Sequence, residues 1–84
     1  MDEQQKRFLE AVYAVQGETG RAHVLDIAGQ LGLDIINNKG DRDLYQETTL
    51  GLRDAGYLDC LANNYRVTCG IVKLTPYGFR LLES

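Results

Sequence analysis

The chain has a single serine and a single histidine among its 84 residues, and each scarcity removes a class of chemistry. The serine is Ser84, the last residue, so a Ser-His-Asp triad has no credible nucleophile. His23 with Cys60 and Cys69 supplies at most three zinc ligands, without paired spacing. His23 reads instead as a helix-start side chain near the surface. Two cysteines are too few for a disulfide scaffold. Both fall in strand-like segments where small buried thiols are common, so reduced core residues are expected, with a cross-strand pair as the alternative. No apolar run approaches the ~18 residues of a membrane span, and the polar opening from Met1 to Arg7 lacks a signal-peptide pattern. A cytoplasmic protein with no membrane partner is the expectation. Gly17-Glu18-Thr19-Gly20 lacks the lysine and spacing of a phosphate-binding loop, and Asp34 to Gln46 fails the calcium-loop pattern because Gly40 would put Ile35 at the first ligand position. No pair of acids has a spacing that singles it out for acid-base work. Neither an enzyme nor a cofactor-binding protein is expected.

A chain of this length makes one domain, 1–84, which hides only about 60% of its unfolded surface and needs an economical core. Apolar residues at 44% and charged residues at 25% are ordinary for a globular protein. The net charge of −3 opposes nonspecific nucleic-acid affinity, which comes from Lys and Arg neutralising phosphates. The charge is unevenly spread. Residues 1–34 hold six acids against three bases, 35–58 four against three, and 59–84 two against three. From Cys60 to Leu82 there is no acid, and Arg66, Lys73 and Arg80 make the one segment of positive sign.

Phe8, Ala11, Val12 and Val15 form an apolar stripe on a helix from about Glu3 to before Gly17. Leu9 and Tyr13 lie beside that stripe, as flank packing or as an edge for a partner. Gly17 and Gly20 bracket a turn. A second helix from His23 or Val24 to Leu31 turns Val24, Ile27, Ala28 and Leu31 inward, and Gly32 supplies a left-handed stop. The residues Leu33 to Arg42 read as a ten-residue loop based on Leu33, Ile35 and Ile36, with Asn37, Asn38, Lys39 and Gly40 as turn formers. Asn37, Asn38, Lys39 and Arg42 are its candidate contacts. A third helix is expected from a cap at Asp43, with Gln46 completing a capping box, Tyr45, Thr48 or Thr49, Leu52 and Ala55 inward, and Gly56 as the stop. A hairpin follows, Tyr57 to Leu61 and Arg66 to Leu74, joined by Ala62-Asn63-Asn64-Tyr65, with a bulge at Gly70. Thr75 then caps a closing helix with Pro76 in its first turn. The fold class is α+β, mainly α: a three-helix core, a β-hairpin wing and a short C-terminal helix.

Ala55-Gly56-Tyr57-Leu58, the hairpin, and Leu74-Thr75-Pro76-Tyr77-Gly78 resemble the helix end, wing and final helix of winged helix-turn-helix domains of the bacterial multiple-antibiotic-resistance-regulator kind. The resemblance implies a small transcriptional regulator on double-stranded DNA, with the third helix in the major groove and the wing on the backbone or minor groove. Arg42, Gln46, Arg66 and Lys73 would then be the DNA contacts. Two features depart from that pattern: the long 33–42 connection, where a tight turn has ~3 to 4 residues, and the acids Asp43 and Glu47 at the reading end. These departures, with the exposed apolar candidates Leu9, Tyr13, Tyr65 and Tyr77, support the alternative, a winged-helix module that binds a protein. No helix follows the closing one, so any homodimer is expected to use the first or last helix.

Overall fold

The computed structural model describes residues 2–83; Met1 and Ser84, at the ends of the expected domain, lie outside them. The elements in order are α1 (Glu3–Val15), β1 (Arg21–His23), α2 (Val24–Leu31), α3 (Lys39–Asp54), β2 (Leu58–Asn64), β3 (Val67–Leu74) and α4 (Pro76–Glu83). The class is α+β and mainly helical, with an antiparallel sheet in the order β1-β3-β2.

The helices start where side chains satisfy their first amides. Asp2 accepts from the Gln5 amide at 2.7 Å and the Gln5 side chain accepts from the Asp2 amide, a capping box. His23 Nδ1 accepts from the Leu25 amide at the head of α2, and Gly32, at φ 74°, ends that helix. α1 packs against α2, α3, α4 and the sheet. That central position widens its buried face, so Leu9 joins Phe8, Ala11 and Val12 in the core. Leu9 is therefore no edge for a partner, whereas Tyr13 remains 56% exposed.

α3 begins earlier than its pattern suggests. Asn38 is the cap, accepting from the Asp41 amide at 3.0 Å, and Asp43 lies inside the first turns. Lys39 to Arg42 lack an apolar period, so hydrophobic patterning cannot see this turn. A cap and an i,i+4 pair, Lys39 to Asp43 at 2.7 Å, support it instead. The connection from α2 accordingly shrinks to residues 33–38. Ile35 is buried at its base, but Ile36 is 58% exposed. Tyr45, Thr49 and Leu52 face the core, while Ala55 is exposed as the C-cap.

The sheet departs from expectation in three places. The short β1 gave no period of its own, yet Ala22 and His23 pair with Val72 and Ile71 of β3. β2 continues through Asn64, so the turn is Tyr65-Arg66 and not Ala62 to Tyr65. Both turn residues have positive φ, 50° and 64°, as a two-residue hairpin with the twist of its strands requires. Asn64 supports the turn by accepting from the Tyr65 amide. Cys60 and Cys69 are joined in a disulfide, with Cα atoms 4.8 Å apart, and are not reduced core thiols. Cys60 opposes Val72 in the ladder, and the register shift beyond it brings Cys69 within bonding reach, which their spacing alone does not disclose.

Gly70 does mark an irregularity. The ladder is in step from Leu58↔Leu74 to Cys60↔Val72, shifts before Ala62↔Ile71, and shifts again before Asn64↔Val67. Cys69 and Gly70 are consecutive buried residues, so the inward face of β3 changes phase there. A Cβ on Gly70 would run into the Asn64 backbone. At the end of the hairpin Thr75 Oγ1 donates to the Gly56 carbonyl at 2.6 Å and accepts from the Gly78 amide, fastening the start of α4 to the stop of α3.

Two glycine substitutions should separate tight packing from helix propensity. Gly70→Ala is expected to lower stability by about 1–3 kcal/mol through forced displacement of β2. Gly29→Ala, inside α2 with nothing within 4 Å of the new Cβ, should raise it by about 0.5–1 kcal/mol. Urea unfolding of both variants measures the difference, and a neutral Gly70→Ala would contradict the close strand approach.

Candidate functional site at the hairpin tip

The tip of the hairpin is held against the first half of α3 by side chains from one helical face. Tyr45 is fully buried, and its hydroxyl donates to the Cys69 carbonyl at 2.7 Å. Thr49 Oγ1 donates in turn to the Tyr45 carbonyl. Gln46, one residue on, uses both ends of its amide on Thr68: Nε2 donates to Thr68 Oγ1 at 3.0 Å, and Oε1 accepts from the Thr68 amide at 2.9 Å. Gln46 thus replaces a missing strand neighbour where the ladder is irregular. Its amide is engaged inside the protein, which leaves it poorly placed to read a base edge.

The four residues expected at DNA fall into three places. Arg42 and Arg66, from α3 and the turn, line one groove with Ile35, Ile36 and Tyr65. Gln46 is bonded to Thr68 and is not among the residues that line that groove. Lys73 is seven residues along β3 from Arg66, roughly 23 Å at the rise of an extended strand. It pairs in register with Arg21 and Asp59, its stem packed near Gly20. The sheet carries Lys73 away from the groove.

The charges around the groove decide what it can attract. Arg42 Nη1 donates to the Ile35 carbonyl at 3.1 Å, which orients the guanidinium without neutralising it. Neither Arg42 nor Arg66 belongs to either salt bridge found among the described residues. The nearby acids bond to other partners than the two arginines. Asp41 accepts from the Asp34 amide, Asp34 from the Asn37 amide, and Asp43 pairs with Lys39. Lys39 is accordingly committed along its own helix, and Asn38 to its cap, while Asn37 is exposed on the loop. Two guanidinium groups thus stand beside an apolar floor, suited to an anionic group flanked by something flat or apolar.

Sequence reasoning did not foresee Ile35, Ile36 and Tyr65 as walls of the same groove, because the α2–α3 connection and the turn meet only in three dimensions. His23 also reaches the tip: its ring lies edge-on to Tyr65, with centroids 5.7 Å apart, and its Nε2 is 3.0 Å from the Asn64 amide group. The exposed length of α3 is unlike the groove. Asp43, Glu47 and Asp54 face solvent, and Arg53 is paired with Asp54.

A second concavity lies between α1 and α4, lined by Glu10, Tyr13, Phe79, Leu82 and Glu83. Tyr13 meets Phe79 edge-on, with centroids 6.2 Å apart. Near the start of α4, Tyr57 and Tyr77 stack at 4.9 Å. In comparisons with protein-family models, curated proteins and solved structures, nothing matches the chain.

Burial pushes the Tyr45 hydroxyl far above its ordinary range. Its folded-state pKa exceeds its unfolded value of about 10, so its contribution to stability is complete below about pH 10 and is lost as the pH climbs toward the folded value. Tyr45→Phe should cost about 1–2 kcal/mol at pH 7 by leaving the Cys69 carbonyl without its donor, yet fall less steeply above pH 10. Urea midpoints from pH 7 to 11 test this, and parallel curves for the two proteins would exclude Tyr45 as the linked group.

Proposed function

We propose that this chain is a winged-helix domain that docks on double-stranded DNA through its wing, as a small cytoplasmic DNA-binding protein and not an enzyme. The order helix, strand, two helices, hairpin and closing helix supports the winged-helix reading, as does a short first strand paired on the hairpin in the order β1-β3-β2. One observation carries the DNA reading: Arg42 and Arg66, from separate elements, line one groove and neither is held in a salt bridge among the described residues. Two unneutralised guanidinium groups at a protruding turn suit the phosphate backbone.

The same geometry argues for positioning over base reading. Gln46 is engaged with Thr68, and the solvent face of α3 carries Glu47, which repels phosphates, beside an Asp43 that is paired with Lys39. Contact by the wing and the start of α3 would therefore be strongly salt-dependent and weakly sequence-selective. In a transcriptional regulator, that selectivity would have to come from a second subunit or from DNA shape.

A specific observation favours the second reading, a protein-binding module. The α1–α4 concavity combines exposed Tyr13 with Phe79 and Leu82 between two carboxylates, Glu10 and Glu83. That surface fits a protein segment or a second copy better than a nucleic acid. It lies on other elements than the groove, so both surfaces could serve one molecule.

Titration with a mixed-sequence duplex across a range of salt concentrations tests the DNA reading. Arg42→Ala and Arg66→Ala should each weaken binding similarly on all sequences and make the slope of log K against log salt shallower by about one unit. Lys73→Ala, at the far end of β3, should leave the slope unchanged. Wild-type affinity in both arginine variants would remove the groove from the mechanism, and absence of duplex binding at high micromolar protein would favour the protein-binding module.

A further inference from the structure

The disulfide encloses the part of the hairpin that carries the groove. Cys60 and Cys69 are nine residues apart, and the segment between them holds the outer part of β2, the Tyr65-Arg66 turn and the start of β3. Below the bond the ladder is in step, Leu58, Asp59 and Cys60 opposing Leu74, Lys73 and Val72. Beyond it the register shifts twice, and the pairs Ala62↔Ile71 and Asn64↔Val67 continue the ladder. The covalent link therefore stands at the boundary between a regular stem and an irregular tip. It aligns two strands where their hydrogen bonds do so poorly. Its ends also differ in access: Cys69 is fully buried, whereas Cys60 is partly exposed on the edge strand.

From this placement we infer that the Cys60–Cys69 bond is a thiol-disulfide switch acting on the wing groove. Oxidised, it holds Arg66 beside Arg42; reduced, it leaves the β2 side of the turn held only by the out-of-step pairs Ala62↔Ile71 and Asn64↔Val67, so that the turn shifts and the two guanidinium groups part for some of the time. The inference rests on the reading of that groove as the DNA contact. The reductant is a dithiol. Its thiolate attacks Cys60 Sγ, the Cys60–Cys69 bond breaks, and Cys69 leaves as a thiolate that takes up a proton. The second thiolate of the reductant attacks the mixed disulfide, Cys60 is released and protonated, and the reductant departs as its own disulfide. Two electrons and two protons pass to the protein. The Tyr45 bond to the Cys69 carbonyl and the Gln46 clamp on Thr68 involve no sulfur, so α3 keeps its hold on β3 in both states. The change is confined to the tip. Cytosolic thiol pools reduce exposed disulfides, so in a cytoplasmic protein the bond is transient and the groove is assembled only while a disulfide oxidant drives the same exchange in reverse.

The test compares the full chain, air-oxidised and then reduced with dithiothreitol, each state verified by thiol titration. Reduction should speed tryptic cleavage after Arg66 and amide exchange at residues 64–68 by about tenfold, with α1 and α3 unchanged. It should weaken binding of a mixed duplex of about 20 base pairs at low salt by about fivefold. The double variant Cys60→Ser with Cys69→Ser should match the reduced protein whether or not dithiothreitol is present. Equal tip rates in the two states overturn the inference. So does acceleration spread evenly over α1 and α3, which would make the bond a general staple, and so does a loosened tip with unchanged duplex affinity. Loosening at the tip with no duplex binding in either state upholds the redox-controlled tip and sinks the DNA reading instead.

Discussion

The buried hydrogen bond from the Tyr45 hydroxyl to the Cys69 carbonyl, 2.7 Å long, fastens the helical layer to the sheet, and the outer hairpin depends on it. A phenol carried into a core is costly without an acceptor, and a β3 carbonyl at a register break lacks a regular strand partner. Each group resolves the other's deficit. Around this bond gather Gln46 on Thr68, the disulfide at Cys69 and the close backbone approach at Gly70. Four unlike interactions thus meet within residues 68–70. They compensate for one irregularity, and their combined effect is to aim the Tyr65-Arg66 turn at the start of α3.

Charge follows the same economy. The chain is acidic overall, yet near the tip its acids are spent on loop amides and on Lys39, so that Arg42 and Arg66 stand without neutralising partners among the described residues. Net charge therefore describes this surface badly: the carboxylates near the tip take loop amides and Lys39 as partners, and none of them is ion-paired with either arginine among the described residues. The long face of α3 keeps its exposed acids, so an anion meets less opposing charge at the hairpin tip than along the helix beside it.

The parts of the fold visible in sequence were those with a local cause. The stripe of α1, the left-handed Gly32, the Thr75 cap and the bulge at Gly70 each follow from side-chain spacing or backbone freedom within a few residues. The parts not visible arise from distant partners. β1 is three residues long and exists because β3 offers it an edge. The first turn of α3 has no apolar period, and the hairpin turn fell at Tyr65-Arg66 because strand pairing carried Asn63 and Asn64 into β2. For the site, Arg42 and Arg66 were legible as cations near the right elements, but nothing in their spacing joins them to one groove. Gln46 was legible as a polar residue at the head of a helix, whereas its engagement with Thr68 depends on a strand 22 residues away.

By itself, the sequence determined the helical segments apart from the first turn of α3, the presence of the hairpin and the confinement of excess positive charge to its last third, since periodicity, capping and composition are properties of neighbouring residues. Tertiary structure alone decided which cations act together, whether the cysteines are bonded, and that Leu9 lies in the core while Tyr13 does not. Those outcomes depend on which surfaces meet when the hairpin folds onto α3 and α1 is enclosed. Burial, pairing and charge neutralisation are set by contacts between distant segments, and no local pattern records them.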